Sequence, residues 1–192
     1  MKHMSILLAL LGIGHLFAQE PIESIKTVSK DIELNIVPQW HNLDQNEERC
    51  EEFGGAWIEA GVITLRKKTR ESINMTHLIL SWQGEELEHL IGSLYQRKPN
   101  KDFMPIEQNL ICDSNWQQSG QKLIFKFLQP LSLDVLTELR LVLTVPQDMQ
   151  DKLKNGSLKV EADYLPDQIK EMLENQSAVL TFNECAKTSA LS

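Results

Sequence analysis

Apolar and polar residues alternate along most of the chain after position 31. The clearest run covers 138–146, where Leu139, Leu141, Leu143 and Val145 fall on one side of an extended backbone. A period of two residues is typical of a strand that buries one face. Similar β-rich runs predict seven further strands, at 32–38, 57–67, 76–82, 110–112, 123–127, 157–164 and 178–182.

Most connections between these strands are too short to hold a crossover helix, which favours antiparallel pairing. Strands with one apolar face need a second layer to bury it, so the predicted fold is an all-β, antiparallel two-layer sandwich. The sandwich is immunoglobulin-like in architecture only. An immunoglobulin domain carries a tyrosine two residues before its second cysteine, whereas Leu110 precedes Cys112 here.

One to three short helices are also expected. Over 85–97 the apolar residues follow the spacing i, i+3, i+4 and i+7, which favours an amphipathic helix, with a strand as the alternative. The residues with this spacing are Leu87, Leu90, Ile91 and Leu94. The segments 146–155 and 166–175 each begin with proline and predict one or more helical turns between strands.

The amino terminus has the layout of a secretory signal peptide over residues 1–18. A short basic start is followed by about ten apolar residues and by the small residue Ala18, although Leu16 is larger than usual at its position. The apolar run is too short to span a bilayer as a helix. The sequence therefore predicts a secreted or periplasmic protein, with no stable membrane insertion after signal removal. A lead-in segment at 19–30, one domain at 31–184 and a flexible tail at 185–192 follow.

The chain is acidic, with 19 Lys and Arg residues against 27 Asp and Glu residues and a formal net charge of −8. This balance argues against nucleic acid as a partner, because binding to phosphates requires a basic surface. No cofactor, metal site or catalytic residue is predicted. The acidic stretch 41–52 resembles a calcium loop only in part, since Arg49 replaces the glycine that an EF-hand needs.

Three cysteines follow the predicted signal: Cys50, Cys112 and Cys185. Export favours a disulfide, and Cys50 with Cys112 is the preferred pair. That bridge would close a loop of about 62 residues and stabilise the fold by about 4 kcal/mol. A bridge to Cys185 and the absence of any bridge are the alternatives, and the odd count leaves a thiol that could bond another chain.

Four tryptophans are candidates for core packing or for contact with a partner. Trp57 and Trp82 lie inside predicted strands, which favours a core position. Trp40 and Trp116 have polar or proline-containing flanks and are the candidates for exposed aromatic contacts with a partner.

Three triplets match the acceptor pattern for N-glycosylation if the source is eukaryotic. Their asparagines are Asn74, Asn155 and Asn175. In a bacterial protein the same triplets do not indicate glycosylation.

The leading functional prediction is an exported, non-catalytic binding module for a protein or glycan partner, because no group of acid, base, nucleophile or metal ligands stands out. One alternative is a small secreted hydrolase that assembles its site from distant strand ends. The other is a structural component of an envelope or surface assembly. The oligomeric state is not indicated by the sequence.

Overall fold

The computed structural model describes residues 25–43, 55–97, 105–146, 149–175 and 177–182. The predicted signal peptide, the acidic stretch from 44 onward, Cys50, Cys185 and the predicted tail lie outside these residues. The described part is all-β and antiparallel, as the alternation predicts.

Ten strands form one continuous sheet. They are β1 (Ile25–Val28), β2 (Ile32–Asn42), β3 (Gly55–Lys67), β4 (Asn74–Gln83), β5 (Ile91–Gln96), β6 (Leu110–Gln117), β7 (Lys122–Ser132), β8 (Leu136–Pro146), β9 (Ser157–Val160) and β10 (Val179–Thr181). Their order across the sheet is β1-β2-β3-β8-β5-β6-β7-β4-β9-β10. The sheet curls until β10 lies against β2, so that it is nearly closed.

Each of the eight predicted strands is present, with shifted ends. The strand predicted at 157–164 stops at Val160, and the one predicted at 110–112 continues to Gln117. Two short helices, α1 (Gln150–Lys154) and α2 (Asp167–Asn175), confirm the helical turns predicted at 146–155 and 166–175, and a 3-10 turn covers Glu107–Asn109.

The helix favoured over 85–97 is wrong. Residues Ile91–Gln96 form β5, which pairs with β8 on one side and with β6 on the other, and the residues before it have no regular structure. Leu87, Leu90 and Leu94 are all buried, as a helix would also require. Backbone pairing with two distant strands therefore decides the conformation, and such tertiary context overrides local spacing.

The segment 19–30, predicted to be irregular, contains β1. This strand pairs antiparallel with β2, from Ile25 opposite Ile36 to Val28 opposite Glu33. Its four residues are too few to show a clear alternation in the sequence.

The interior of the curled sheet is apolar. Leu139, Leu141 and Leu143 on β8 are fully buried, and burial of such a side chain stabilises a fold by about 1.5–3 kcal/mol. Strands from the two ends of the sheet order approach each other there, since a β-carbon added to Gly61 on β3 would lie 2.5 Å from Leu180 Cδ2 on β10. None of the described helices is long and apolar enough to cross a membrane.

Candidate functional site

Both tryptophans predicted as exposed contacts pack partly against the core. Trp40 on β2 meets Phe182 edge-on, with ring centroids 5.8 Å apart. Trp116 on β6 donates a hydrogen bond from Nε1 to the carbonyl oxygen of Glu88 at 3.2 Å. Each ring is half-buried, so internal packing already occupies part of its surface. Contact of either ring with a partner stays a prediction.

The three candidate glycosylation asparagines lie far apart in the fold. Asn74 is exposed at the start of β4. Asn155 is exposed after α1 and donates from Nδ2 to the carbonyl oxygen of Asp151 at 3.0 Å. Asn175 ends α2, and its side chain lies outside the described part. Modification at these positions stays a prediction.

Among the described residues, Cys112 on β6 has no disulfide partner. Its predicted partner Cys50 lies outside the described residues, so the disulfide stays a prediction. Burial raises the pKa of Cys112 to about 11, and the negative charge of Asp113 adds to this effect. Cys112 is therefore a neutral thiol at physiological pH, which makes it a weak nucleophile.

A buried ion network lies on the outer face of β3 and β8. Arg140 Nη1 contacts Glu59 Oε1 at 2.5 Å, and Arg140 Nη2 contacts Glu138 Oε1 at 2.7 Å. Burial lowers the pKa of Arg140, but the hydrogen bonds to Glu59 and Glu138 and the negative charges of these carboxylates together raise it by more. Since Arg140 engages both carboxylates, their arrangement is that of a structural ion network rather than of a general acid and base.

The described residues contain no group of three or more His, Cys, Asp or Glu side chains that could hold a metal ion. A small cavity of about 10 Å³ lies inside the sheet and is lined by nine apolar side chains, among them Leu34, Leu139 and Ile169. A space of this size holds at most about one water molecule and is far too small for an organic ligand. This cavity is therefore not a candidate site for an organic ligand.

The turn after β9 presents an exposed aromatic ring. Among the described residues, Tyr164 is the only Phe, Trp or Tyr that is mainly exposed, with 66% of its surface accessible. Its ring lies against His77 on β4, with centroids 4.9 Å apart and an angle of 37° between the planes. We call this pair the Tyr164–His77 platform.

The backbone of Tyr164 has an unusual conformation. Its φ is +61°, in the left-handed region that costs a residue with a β-carbon about 1–2 kcal/mol. An exposed ring gains little burial energy to offset this cost. Strain of this kind tends to occur at functional sites, so it favours a role for the ring outside the fold.

A bulge in the pairing of β4 with β7 precedes His77, which lies on the outer face of the sheet: residues 127–130 of β7 stand against Thr76 alone. The register between β4 and β7 shifts between Met75, which is buried, and His77, which is half-buried and pairs with Lys126. The exposed Thr76 lies opposite the extra residues of β7, and its Oγ1 is 3.1 Å from His77 Nδ1. Bulges commonly re-aim nearby side chains.

Three lysines share the outer face of β7, β4 and β9 with His77. They are Lys122 and Lys126 on β7 and Lys159 on β9. Lys122 and Lys159 both stand opposite Ser81 of β4, one on each side. We call this surface the lysine face.

The sequence did not identify Tyr164 as a site residue, because alternation placed it inside a strand predicted at 157–164. Pro166 is the signal that could have shortened that strand. Proline at the start of a helix marks an element boundary, and Ile169 and Lys170 donate their backbone N–H groups to its carbonyl oxygen. The turn between Val160 and α2 is what exposes Tyr164.

Comparison with protein-family models gives no match, and no curated protein sequence matches the chain. Among solved structures, the chain is similar to one in the structure of the CBM32-1 and CBM32-2 domains from Clostridium perfringens ZmpB, with 13% sequence identity and a TM-score of 0.30. The match covers 68% of this chain and 39% of that chain. A TM-score this low assigns neither a fold family nor a function.

Proposed function

We propose that this chain is an exported, non-catalytic module that binds a glycan through the Tyr164–His77 platform. The observation that carries the proposal is the exposed ring of Tyr164, whose backbone is held in a strained conformation. The C–H surface of a sugar ring stacks on an aromatic face, while its hydroxyl groups need hydrogen-bonding neighbours. Thr76 and Lys126 supply such neighbours beside His77.

The size and setting of the platform favour a glycan over a protein partner. Stable protein interfaces bury about 800 Å² on each partner and are centred on apolar anchors. Tyr164 stands instead between the exposed Asp163 and the helix α2, and its ring contacts the half-buried His77. A single ring with polar neighbours matches the chemistry of one sugar unit.

The polar groups elsewhere on the outer face support binding rather than catalysis. Glu59 and Glu138 are engaged by Arg140, and Ser93 donates its Oγ hydrogen to Asp113 Oδ1 at 2.6 Å. A general acid or base must reach the substrate proton directly. These groups are occupied with one another.

Export and the two-layer arrangement belong to the same proposal. Cleavage after Ala18 would release the domain outside the cytoplasm, where glycans of cell surfaces and matrices are accessible. The internal cavity is lined by side chains of β2, β3 and β8 and also by side chains of β4 and β9, which lie in the other half of the sheet order; this supports a sandwich of two facing halves of the sheet.

A glycan array followed by isothermal titration calorimetry tests the proposal, with three variants beside the unmodified protein. Tyr164→Ala should weaken binding by about tenfold or more, because it removes the stacking surface, whereas Tyr164→Phe should retain most of the affinity. Val135→Ala, which trims another exposed apolar residue in the turn between β7 and β8, should have no effect. If no glycan binds, or if Tyr164→Ala binds as well as the unmodified protein, the proposal is wrong.

A further inference from the structure

The lysine face carries positive charge on an otherwise acidic protein. Strands β4, β7 and β9 carry these three lysines and no acidic residue, whereas the whole chain has a formal charge of −8. The acidic residues Glu161, Asp113 and Asp163 lie at the border of the face. A local excess of one sign attracts ligands of the opposite sign even when the total charge does not.

The three lysines are available to a ligand. Lys126 is exposed, Lys122 and Lys159 are half-buried, and none of them forms an ion pair with another residue of the described part. Glu161 is occupied, since it accepts a hydrogen bond from Ser81 Oγ at 2.5 Å. Within the described part, none of the three lysine charges is therefore held in an ion pair.

Two neighbouring acidic residues border this face. Asp113 on β6 is exposed and accepts a hydrogen bond from Ser93, so it is directed toward β5. Asp163 is exposed and precedes Tyr164. Because Asp163 repels a carboxylate at the Tyr164 end, an acidic ligand is best accommodated with its charges toward the lysines.

The strand register sets the length of the ligand. Lys126 stands opposite His77, and Lys122 lies four residues away along β7. With about 3.3 Å per residue, the two lysines are separated by about 13 Å along the strand. Ile79, which is 4% exposed, and its partner Ile124 lie between the two lysines. The apolar stems of lysine side chains can cover such an apolar centre while their charged ends reach solvent.

We propose that the glycan is an acidic oligosaccharide whose sugar units carry carboxylates. One sugar ring stacks on Tyr164, a first carboxylate pairs with Lys126, and the chain runs along β7 so that a later carboxylate reaches Lys122 and Lys159. This inference rests on the proposed function, because the platform supplies the glycan contact and the lysine face supplies the preference for acidic units.

Calorimetry with two oligosaccharides of equal length tests the inference: oligogalacturonate, which carries a carboxylate on each unit, and a neutral cello-oligosaccharide. The unmodified protein should bind the acidic probe more tightly, and binding should weaken as the salt concentration rises from about 0.05 M to about 0.5 M. The triple variant Lys122→Gln, Lys126→Gln, Lys159→Gln should lose about tenfold in affinity.

Lys154→Gln is the matched control, because it removes one positive charge from α1, outside the lysine face, and should leave affinity unchanged. Thermal unfolding of every variant verifies its fold, and Lys126→Gln alone, at an exposed position, replaces the triple variant if that one does not fold.

The contradicting results distinguish the preference for acidic sugar units from the proposed binding of a glycan. Equal binding of both probes with no effect of the lysine variants would overturn the acidic preference and leave the proposed function standing. Failure of both probes to bind would contradict the acidic ligand, and a glycan array without hits would contradict the proposed function as well. Tighter binding of a single-stranded oligonucleotide than of oligogalacturonate would replace the glycan by a nucleic acid. An acidic probe that binds Tyr164→Ala normally would show that the platform takes no part.

Discussion

Gly156 lies directly against the indole ring of Trp82, so that a β-carbon at position 156 would overlap the ring. Gly84 approaches the same ring, and Phe182 stacks on it with centroids 6.4 Å apart. Trp82 also donates from Nε1 to the carbonyl oxygen of Glu85 at 2.7 Å. One buried side chain thus joins β4, the turn before β9 and the end of β10.

Gly156→Ala should destabilise the protein by about 1–3 kcal/mol, because the new methyl group cannot enter a space that the ring fills. Chemical denaturation measures the free energy of unfolding. The variant Trp82→Phe, which has a smaller ring, should reduce the cost of Gly156→Ala when the two are combined. Strictly additive effects in this double-mutant cycle would show that the two positions do not compete for space.

Gln121 holds the loop between β4 and β5 in place through two side-chain hydrogen bonds. Its Oε1 accepts from the Leu87 backbone N–H at 2.8 Å, and its Nε2 donates to the Leu87 carbonyl oxygen at 3.1 Å. Gln121→Asn keeps the amide and suits the φ of +51° but is too short for both bonds. A loss of about 1–3 kcal/mol and faster hydrogen exchange at the Leu87 amide are expected. Gln117→Asn, an exposed change on β6, is the control and should leave both measurements unaltered.

Glu59 depends on Arg140, because its side chain is almost entirely buried. Arg140→Met should lower the free energy of unfolding by about 3–5 kcal/mol, since it leaves a buried carboxylate without its main counter-charge. Adding Glu59→Gln removes that charge and should recover a large part of the loss. No recovery in the double variant would mean that Arg140 acts mainly through Glu138 or other contacts.

The raised pKa of Cys112 predicts how stability and reactivity change with pH. Below about pH 8.5 the thiol is neutral in both the folded and unfolded chains. As the pH rises toward the folded pKa of about 11, the unfolded thiol ionises first and favours unfolding, so stability decreases over this range. Cys112→Ser should reduce this alkaline decrease. Alkylation of the native protein, followed by mass spectrometry of the peptide that contains Cys112, should stay slow at pH 8. Fast alkylation there would contradict the raised pKa.

The strands that the sequence predicted well are those with one buried face. In β8 the buried residues Leu139, Leu141 and Leu143 alternate with Glu138, Arg140, Val142 and Thr144, of which only Val142 is apolar and buried, and this alternation is a signal that needs no knowledge of the partner strands. In β5 and the residues before it, the spacing of the buried Leu87, Leu90 and Leu94 fits a helix equally well. The deciding contacts are backbone pairs with β6 and β8, which lie far away in the sequence.

The candidate site could not be predicted for the same reason. His77, Lys126 and Lys159 become neighbours only through the register of three strands, and alternation within each strand does not specify that register. Trp40 packs partly against the core through its contact with Phe182, a residue from the other end of the domain. Exposure of an aromatic residue therefore depends on partners that its own flanking residues do not reveal.

Tyr164→Asn separates the role of the ring in binding from its role in the fold. Asparagine adopts the left-handed conformation more readily than tyrosine, so relief of strain should offset the lost contact with His77 and leave the free energy of unfolding within about 1 kcal/mol of the unmodified value. Glycan binding should nevertheless fall as in Tyr164→Ala, because the stacking surface is gone. Denaturation and calorimetry on the same preparation provide both values. A variant that unfolds much more easily would assign Tyr164 to the structure of the turn, and the strain at φ +61° would then serve the fold rather than a ligand.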